Sequence, residues 1–307
     1  MIIGQIILLL AGFFLLIKGA DWFVEGTSGV AGKLGIPQLV VGLTIVAMGT
    51  SAPEAAVSIT ASLKGVADIA VGNVVGSNIL NILIILGLTS WIVPVAIRKS
   101  TLTTEIPFMI GITAVLLIMG LADGIISRVD GIIFWLLFLL YLGYLFRMAK
   151  KGKEEKEDSV SESMTRLIAF ALLGGVLVVA GSNVTVNSAT VIAKMLGMSE
   201  RFIGLTIVAL GTSLPELVTS VTAAKKGNAD IAIGNIVGSN IFNILFILGT
   251  SALITPLRYA PDFGMDGVIA ILSGILLWLA VLRKRELRRK WGIVFLLCYA
   301  VYFFTLC

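Results

Sequence analysis

Ten stretches of mainly apolar residues alternate with short polar ones, at about 2–24, 36–62, 69–96, 103–122, 129–148, 166–193, 201–224, 231–256, 264–282 and 291–306. A helix crosses the hydrocarbon of a bilayer in about 20 residues. The pattern therefore predicts an all-α membrane protein of ten transmembrane helices, with a lipid bilayer as its solvent. The longest polar interruption, KKGKEEKEDSVSES from Lys150 to Ser163, divides the chain. It separates a five-helix unit over 1–149 from another over 166–307, with a cytoplasmic linker over 150–165. No basic segment precedes the opening run, so it reads as the first helix rather than a cleaved leader.

Composition agrees and narrows the choice. Of 307 residues, 58% are hydrophobic and 13% charged, whereas soluble domains are about a quarter charged. A soluble enzyme and a disordered chain are both excluded. With no histidine in the chain, a Ser-His-Asp triad, a histidine metal site and a histidine proton relay are excluded too. The two cysteines, Cys298 and Cys307, sit together in the last apolar run and read as packing residues.

The net charge of +5 reports topology, not nucleic acid. When the ten spans are threaded with the N-terminus outside, about 17 Lys and Arg fall in cytoplasmic loops and about 5 in the opposite ones. Both termini are then extracellular in a multi-pass protein of the cell membrane. Lys18, near the inner end of the first helix, can snorkel to the cytoplasmic headgroups.

An internal repeat carries the functional signal. Gly42–Pro94 aligns without a gap to Gly204–Pro256, an offset of 162 residues, and roughly two-thirds of the positions are identical. Gly12 and Gly19 match Gly174 and Gly181 beyond that core. Five crossings per half place the second copy upside down, giving two inverted-topology repeats. Secondary transporters use that symmetry, with a substrate site near the midplane between the halves.

Glu54 and Glu216 occupy matching places in GTSAPE and GTSLPE, within apolar stretches and without a cation one turn away. A carboxylate at membrane depth costs about 2.5–3.5 kcal/mol or more and marks ion pathways. Pro53 and Pro215 precede the acids. Proline supplies no amide hydrogen and clashes with the carbonyl four residues earlier. A helix break is expected, freeing carbonyls at Ala47–Gly49 and Ala209–Gly211 for a cation. Thr50, Ser51, Thr212 and Ser213 lie three or four residues before the acids, on the acids' own helical face. In GNVVGSNILN and GNIVGSNIFN, Ser77 and Asn81, like Ser239 and Asn243, point one way. The paired glycines there (Gly72 with Gly76, Gly234 with Gly238) read as close-packing faces. An oxygen-only donor set suits hard cations. Asp68 and Asp230 read as dipole-compensating residues at helix starts. Asp21, Glu25, Glu105, Asp123 and Asp130 read as interfacial or solvated.

These paired motifs resemble the calcium/cation antiporter superfamily, whose alpha repeats carry G(T)S-x-PE followed by GSN-x-x-(N/D). The compact form resembles the archaeal sodium/calcium exchangers. The resemblance implies that Glu54 and Glu216 are shared ligands of Ca²⁺ and Na⁺. They would be joined by Thr50, Ser51, Ser77 and the Ala47 carbonyl from one copy, and by Thr212, Ser213, Ser239 and the Ala209 carbonyl from the other. It also implies that the first and sixth helices slide against the rest. The chain departs from many relatives at Asn243, where they have Asp; Asn81 is its equally neutral mate.

The expected function is Na⁺/Ca²⁺ antiport, with Ca²⁺/H⁺ antiport as the alternative, since a buried Glu can carry a proton. Neither reading needs a cofactor or an obligate protein partner. An intramembrane hydrolase using the two acids lacks any group to orient them.

Overall fold

The computed structural model describes residues 2–65, 68–151, 162–197 and 209–306. The expected linker from 152 to 161, the opening of the seventh expected span at 201–208, and Cys307 lie outside the described residues, as do the side chains of Asp68 and Ala209.

The first helix, α1 (Ile2–Leu34), is ten residues longer than its apolar run. Nothing from Glu25 to Leu34 breaks a helix; Gly35, at φ 66°, and Pro37 end it. Lys18 consequently sits mid-helix and reaches Asp21 at 3.7 Å, not the inner end. Next come α2 (Gln38–Thr50) and α3 (Ala52–Leu63), bent by 51° at Ser51. They are followed by α4 (Ile69–Ile92), α5 (Thr101–Asp123), α6 (Arg128–Lys151) and α7 (Met164–Met195). The second half continues with α8 (Ala209–Thr212), α9 (Leu214–Lys225), α10 (Ala229–Ile254), α11 (Asp262–Leu282) and α12 (Arg289–Leu306). Among the described residues seven helices are long and apolar enough to cross a bilayer, and the bent pair α2/α3 makes an eighth span. Among the described residues the regular structure is helical apart from four two-residue strands.

Packing sorts the helices by depth. α10 is almost wholly buried and α4 largely so, while α1, α6 and α7 turn apolar side chains such as Ile3, Phe14, Leu140, Leu172 and Val176 outward. Outward-facing aliphatic residues are what lipid contact requires. Small residues let the central helices touch. A Cβ on Gly238 would lie 2.8 Å from the Leu43 carbonyl oxygen, and one on Gly234 3.0 Å from Gly42 Cα. The packing role expected of these glycines holds there. Gly72 meets the Phe263 ring, but Gly76 has no neighbour within 4 Å among the described residues.

α1 and α7 form the longest seam. Gly12 faces Gly181 and Thr185, Gly19 faces Gly174 and Val178, and Gly26 faces Leu167 and Ala171, so the two helices run antiparallel. Glycine recurs every seventh residue on this face, at 12, 19 and 26, and again at 174 and 181.

The strands repeat the same relation. β1 (Val95–Ala96) pairs antiparallel with β4 (Glu286–Leu287), and β2 (Ile125–Ile126) with β3 (Leu257–Arg258). β1 and β3 are repeat equivalents, so one pairing maps onto the other by a two-fold exchange of halves. Each pair also joins loops that the charge pattern assigns to one side of the membrane.

Two acids differ from their expected roles. Glu105 is not interfacial: it is fully buried and accepts a hydrogen bond from the Tyr144 hydroxyl of α6. It ends a π-helical turn, Thr101–Glu105, that carries it round into the α5–α6 contact, and α11 has no matching turn. Asp230 does lie in the first turn of α10, but it also pairs with Arg98 from the loop after β1, tying the two halves together.

Candidate cation site between the repeats

The acid-bearing helices begin at the breaks. Ser51 (φ −80°, ψ 9°) and Ser213 (φ −90°, ψ 6°) both leave helical geometry for the bridge region, where turn and active-site residues are found. Pro53 and Pro215 then occupy the second position of α3 and α9, where a missing amide hydrogen costs nothing. Each acid stands in the first turn of its helix, close to the positive end of the helix dipole. The expected break is therefore present, and it aims both carboxylates into the centre.

Glu54 and Glu216 are each 1% exposed. Ser51 donates to Glu216 Oε1 at 2.8 Å, and Ser213 donates to Glu54 Oε1 at 3.2 Å. The hydroxyls thus serve the acid of the opposite copy, not their own as helical spacing suggested. The bend is the reason: it ends the shared helical face between residue 51 and residue 54. Each acid keeps one oxygen, Oε2, buried and without a hydrogen-bond partner.

The carbonyls also differ from expectation. Ala47 O is not free, for it accepts from the Ser51 amide (3.0 Å), the Thr50 hydroxyl (3.2 Å) and the Ser239 hydroxyl (3.3 Å). The carbonyl released by Pro215 is that of Gly211, which accepts from Ser182 of α7 at 2.8 Å. At the matching place in the first half α1 has Ala20, which offers no hydroxyl. Thr50 reaches across to Asn235 Oδ1 at 2.9 Å. Thr212 is half-buried beside Ser213, Ser77 is buried on α4, and Ala209 opens α8.

Asn81 and Asn243 are buried at the start of matching π-helical turns, Asn81–Leu86 and Asn243–Leu248. Such turns widen a helix and recur at functional sites. The Asn243 turn packs on α3, which bears Glu54, and the Asn81 turn packs on α9, which bears Glu216. Each side chain does two things. Asn81 Nδ2 donates to Asn240 Oδ1 at 2.9 Å and Asn243 Nδ2 to Asn78 Oδ1 at 3.0 Å, while both Oδ1 atoms are buried without a partner.

Four asparagines went unread in the sequence. Asn73 and Asn235 each donate to the backbone oxygen of the nearby acid (3.3 Å) and to the serine four residues after it (2.9 Å). Asn78 and Asn240 each donate to the other's backbone carbonyl at 3.1 Å. Their duplication in the repeat was the available signal; nothing in spacing alone separates a brace from a ligand.

The centre therefore gathers two carboxylates with an unpaired oxygen each and two amides with an unpaired oxygen each. No cationic side chain bonds to these acids among the described residues. Leaving four buried acceptors unmatched is expensive. An oxygen cage bearing two formal negative charges fits a hard cation, for which Ca²⁺ takes six to eight oxygens.

The family described as Sodium/calcium exchanger protein matches residues 4–147 and 166–307. A putative antiporter, CaxA of Alkalimonas amylolytica, is 40% identical over 292 residues, covering 92% of this chain and 91% of that protein. The sodium/calcium exchanger MaX1 of Methanosarcina acetivorans is 32% identical, covering 100% and 99%. Among solved structures, the sodium-calcium exchanger NCX_Mj soaked with zero Na⁺ and Ca²⁺ superposes with a TM-score of 0.88 at 31% identity, over 100% of both chains.

Proposed function

Since the chain belongs to the sodium/calcium exchanger family, a family of cation antiporters and not of enzymes, we propose that it exchanges Na⁺ for Ca²⁺ by alternating access at the centre just described. The observation that carries this reading is the buried pair Glu54 and Glu216, each with one oxygen unpaired. Either one Ca²⁺ or several Na⁺ neutralise the pair. An empty site holds two uncompensated charges in a low-dielectric interior, and enclosing it costs several kcal/mol. Only loaded forms cross, and that restriction is what couples the two ions.

The same reading assigns ten spans in two inverted five-helix units, 1–149 and 166–307, to a protein of the cell membrane with both termini outside. The antiparallel α1–α7 seam and the exchanged strand pairs support the inversion. The reading takes as cation ligands Glu54, Glu216, Thr50, Ser51, Thr212, Ser213, Ser77, Ser239, Asn81 and Asn243, with the carbonyls of Ala209 and of Ala47, which would exchange a hydrogen bond for the ion. Reconstituted protein tests the whole: ⁴⁵Ca²⁺ should enter Na⁺-loaded vesicles and fail to enter K⁺-loaded ones. Uptake driven by a pH gradient instead would transfer the protein to Ca²⁺/H⁺ exchange.

Alternating access needs two gates, and they differ here. Lys226, after α9, bonds Asp21 Oδ1 of α1 at 2.5 Å and the Asp21 carbonyl at 2.9 Å, with Glu25 at 3.6 Å. The repeat equivalents are Lys64 against Asn183 and Asn187 of α7, and both asparagines are exposed. α1 packs along α9, while α7 makes no comparable contact with α3. The arrangement fits a state closed on the cytoplasmic side and open outside. These ion pairs are about a third exposed, which limits each to about 1 kcal/mol or less. Lys226→Gln removes both pairs, about 2 kcal/mol at most, and should therefore shift the balance between states by no more than about thirtyfold. Ser28 of α1 accepts from Asn228, just after α9; in a cysteine-free background, labelling of Ser28→Cys from the cytoplasmic side by an impermeant maleimide should speed up by that factor. An unchanged rate would mean that the pair holds no gate.

A further inference from the structure

We propose that Asn78 and Asn240, which contact no cation themselves, are positioning residues that decide whether the centre presents oxygen or nitrogen to the ion. The proposal rests on the exchanger reading above.

The argument starts from a main-chain carbonyl, which can only accept. The Asn240 Nδ2 lies 3.1 Å from the Asn78 carbonyl oxygen, and the Asn78 Nδ2 lies 3.1 Å from the Asn240 carbonyl oxygen. Each amide must turn its NH₂ toward that carbonyl, which leaves its Oδ1 pointing away. Asn240 Oδ1 then faces Asn81, and Asn78 Oδ1 faces Asn243. A carbonyl oxygen requires a donor, so Asn81 and Asn243 must each direct NH₂ at it. Their own oxygens are thereby turned the other way, and those are the two atoms buried without a partner. Orientation thus passes from backbone to Asn240 to Asn81, and by symmetry from backbone to Asn78 to Asn243.

An asparagine amide is nearly symmetric in shape, so packing alone does not distinguish its two faces. An Asn81 released from Asn240 can rotate and offer NH₂ to the cation, replacing a ligand with a repulsive dipole. All four side chains are 3% exposed or less, so water cannot easily substitute for the lost partner. The neutrality of both Asn81 and Asn243 makes the arrangement necessary. A carboxylate at either place would present oxygen whichever way it turned.

That last point supplies the test. Asn240→Ala should raise the KM for Ca²⁺ by about tenfold or more while changing kcat less than about threefold, in ⁴⁵Ca²⁺ uptake by Na⁺-loaded vesicles. Adding Asn81→Asp should cancel the defect: the Asn81→Asp/Asn240→Ala protein should match Asn81→Asp alone within about threefold in KM. The mirror set, Asn78→Ala with and without Asn243→Asp, should behave the same way and serves if the first set folds poorly. Equilibrium ⁴⁵Ca²⁺ binding to the detergent-solubilised proteins gives a second readout that needs no transport. Failure of the carboxylate to rescue either alanine variant, with the unmodified protein exchanging normally, would overturn the positioning role and leave the exchanger reading intact. Absence of Ca²⁺ binding and exchange in the unmodified protein would overturn both.

Discussion

Glu54→Gln is expected to lower Na⁺-driven Ca²⁺ uptake by two to three orders of magnitude. Gln has nearly the same shape, and its oxygen can still accept from Ser213, so the site keeps its packing and loses only a charge. A single remaining carboxylate, Glu216, cannot balance a divalent ion in this interior. Removing one partner of a buried ion pair, here a carboxylate facing the bound cation, costs about 3–5 kcal/mol, and each 1.4 kcal/mol is about tenfold. The ion-free protein should behave oppositely. Without cations the two acids are buried and uncompensated, so the variant should melt at a higher temperature than the unmodified protein. It should also lose the stabilisation that added Ca²⁺ confers, because a ligand stabilises only the state that binds it. Uptake within a few-fold of normal would remove Glu54 from the transport site.

The second large effect is expected far from any charge. Gly181→Val should abolish exchange and lower the melting temperature, because α1 and α7 approach with their backbones in contact. A Cβ at Gly181 would lie 2.6 Å from the Leu16 amide nitrogen and 2.9 Å from the Gly12 carbonyl oxygen. Backbone atoms cannot step aside as a side-chain tip can, so the helices must separate. Overpacking of this kind costs about 1–3 kcal/mol or more, and in a membrane close packing is the main force between helices. Gly143→Val, at a position with nothing within 4 Å, is the control and should exchange and melt normally. Melting curves in detergent together with vesicle uptake measure both. Normal behaviour of the Gly181 variant would mean that the seam is not needed for transport.

Much of the molecule was legible before any coordinates. Apolar runs located the helices because a bilayer leaves the backbone no other partner than itself. The gapless repeat pointed to a paired site, and Glu54 and Glu216 stood out because a carboxylate in an apolar run needs a reason. The break before each acid was legible too, since proline removes a donor wherever it occurs. Helix ends were less so: α1 continues past Lys18, Asp21 and Glu25 because polar residues do not stop a helix, whereas Gly35 and Pro37 do.

Errors fell where segments distant in sequence meet. Periodicity assigned Ser51 to Glu54, yet Ser51 bonds Glu216, since the chain bends between residue 51 and residue 54 and the nearest acid belongs to the other half. Glu105 read as interfacial from its place near the end of a run, but a π-helical turn carries it into the α5–α6 contact. Asn78 and Asn240 were part of a recognised motif without a role, because their partners lie about 160 residues away.

What the sequence determined by itself was the membrane, the duplication and the pair of acids, each a consequence of residue type and order along one chain. Which hydroxyl meets which acid, which way each asparagine amide turns, and that Lys226 meets the acids of α1 were decided only by the tertiary structure. The physical reason is that hydrophobicity and helix breaking act on a residue through its own neighbours in sequence. Hydrogen bonds and ion pairs act over about 3 Å between groups that folding alone brings together.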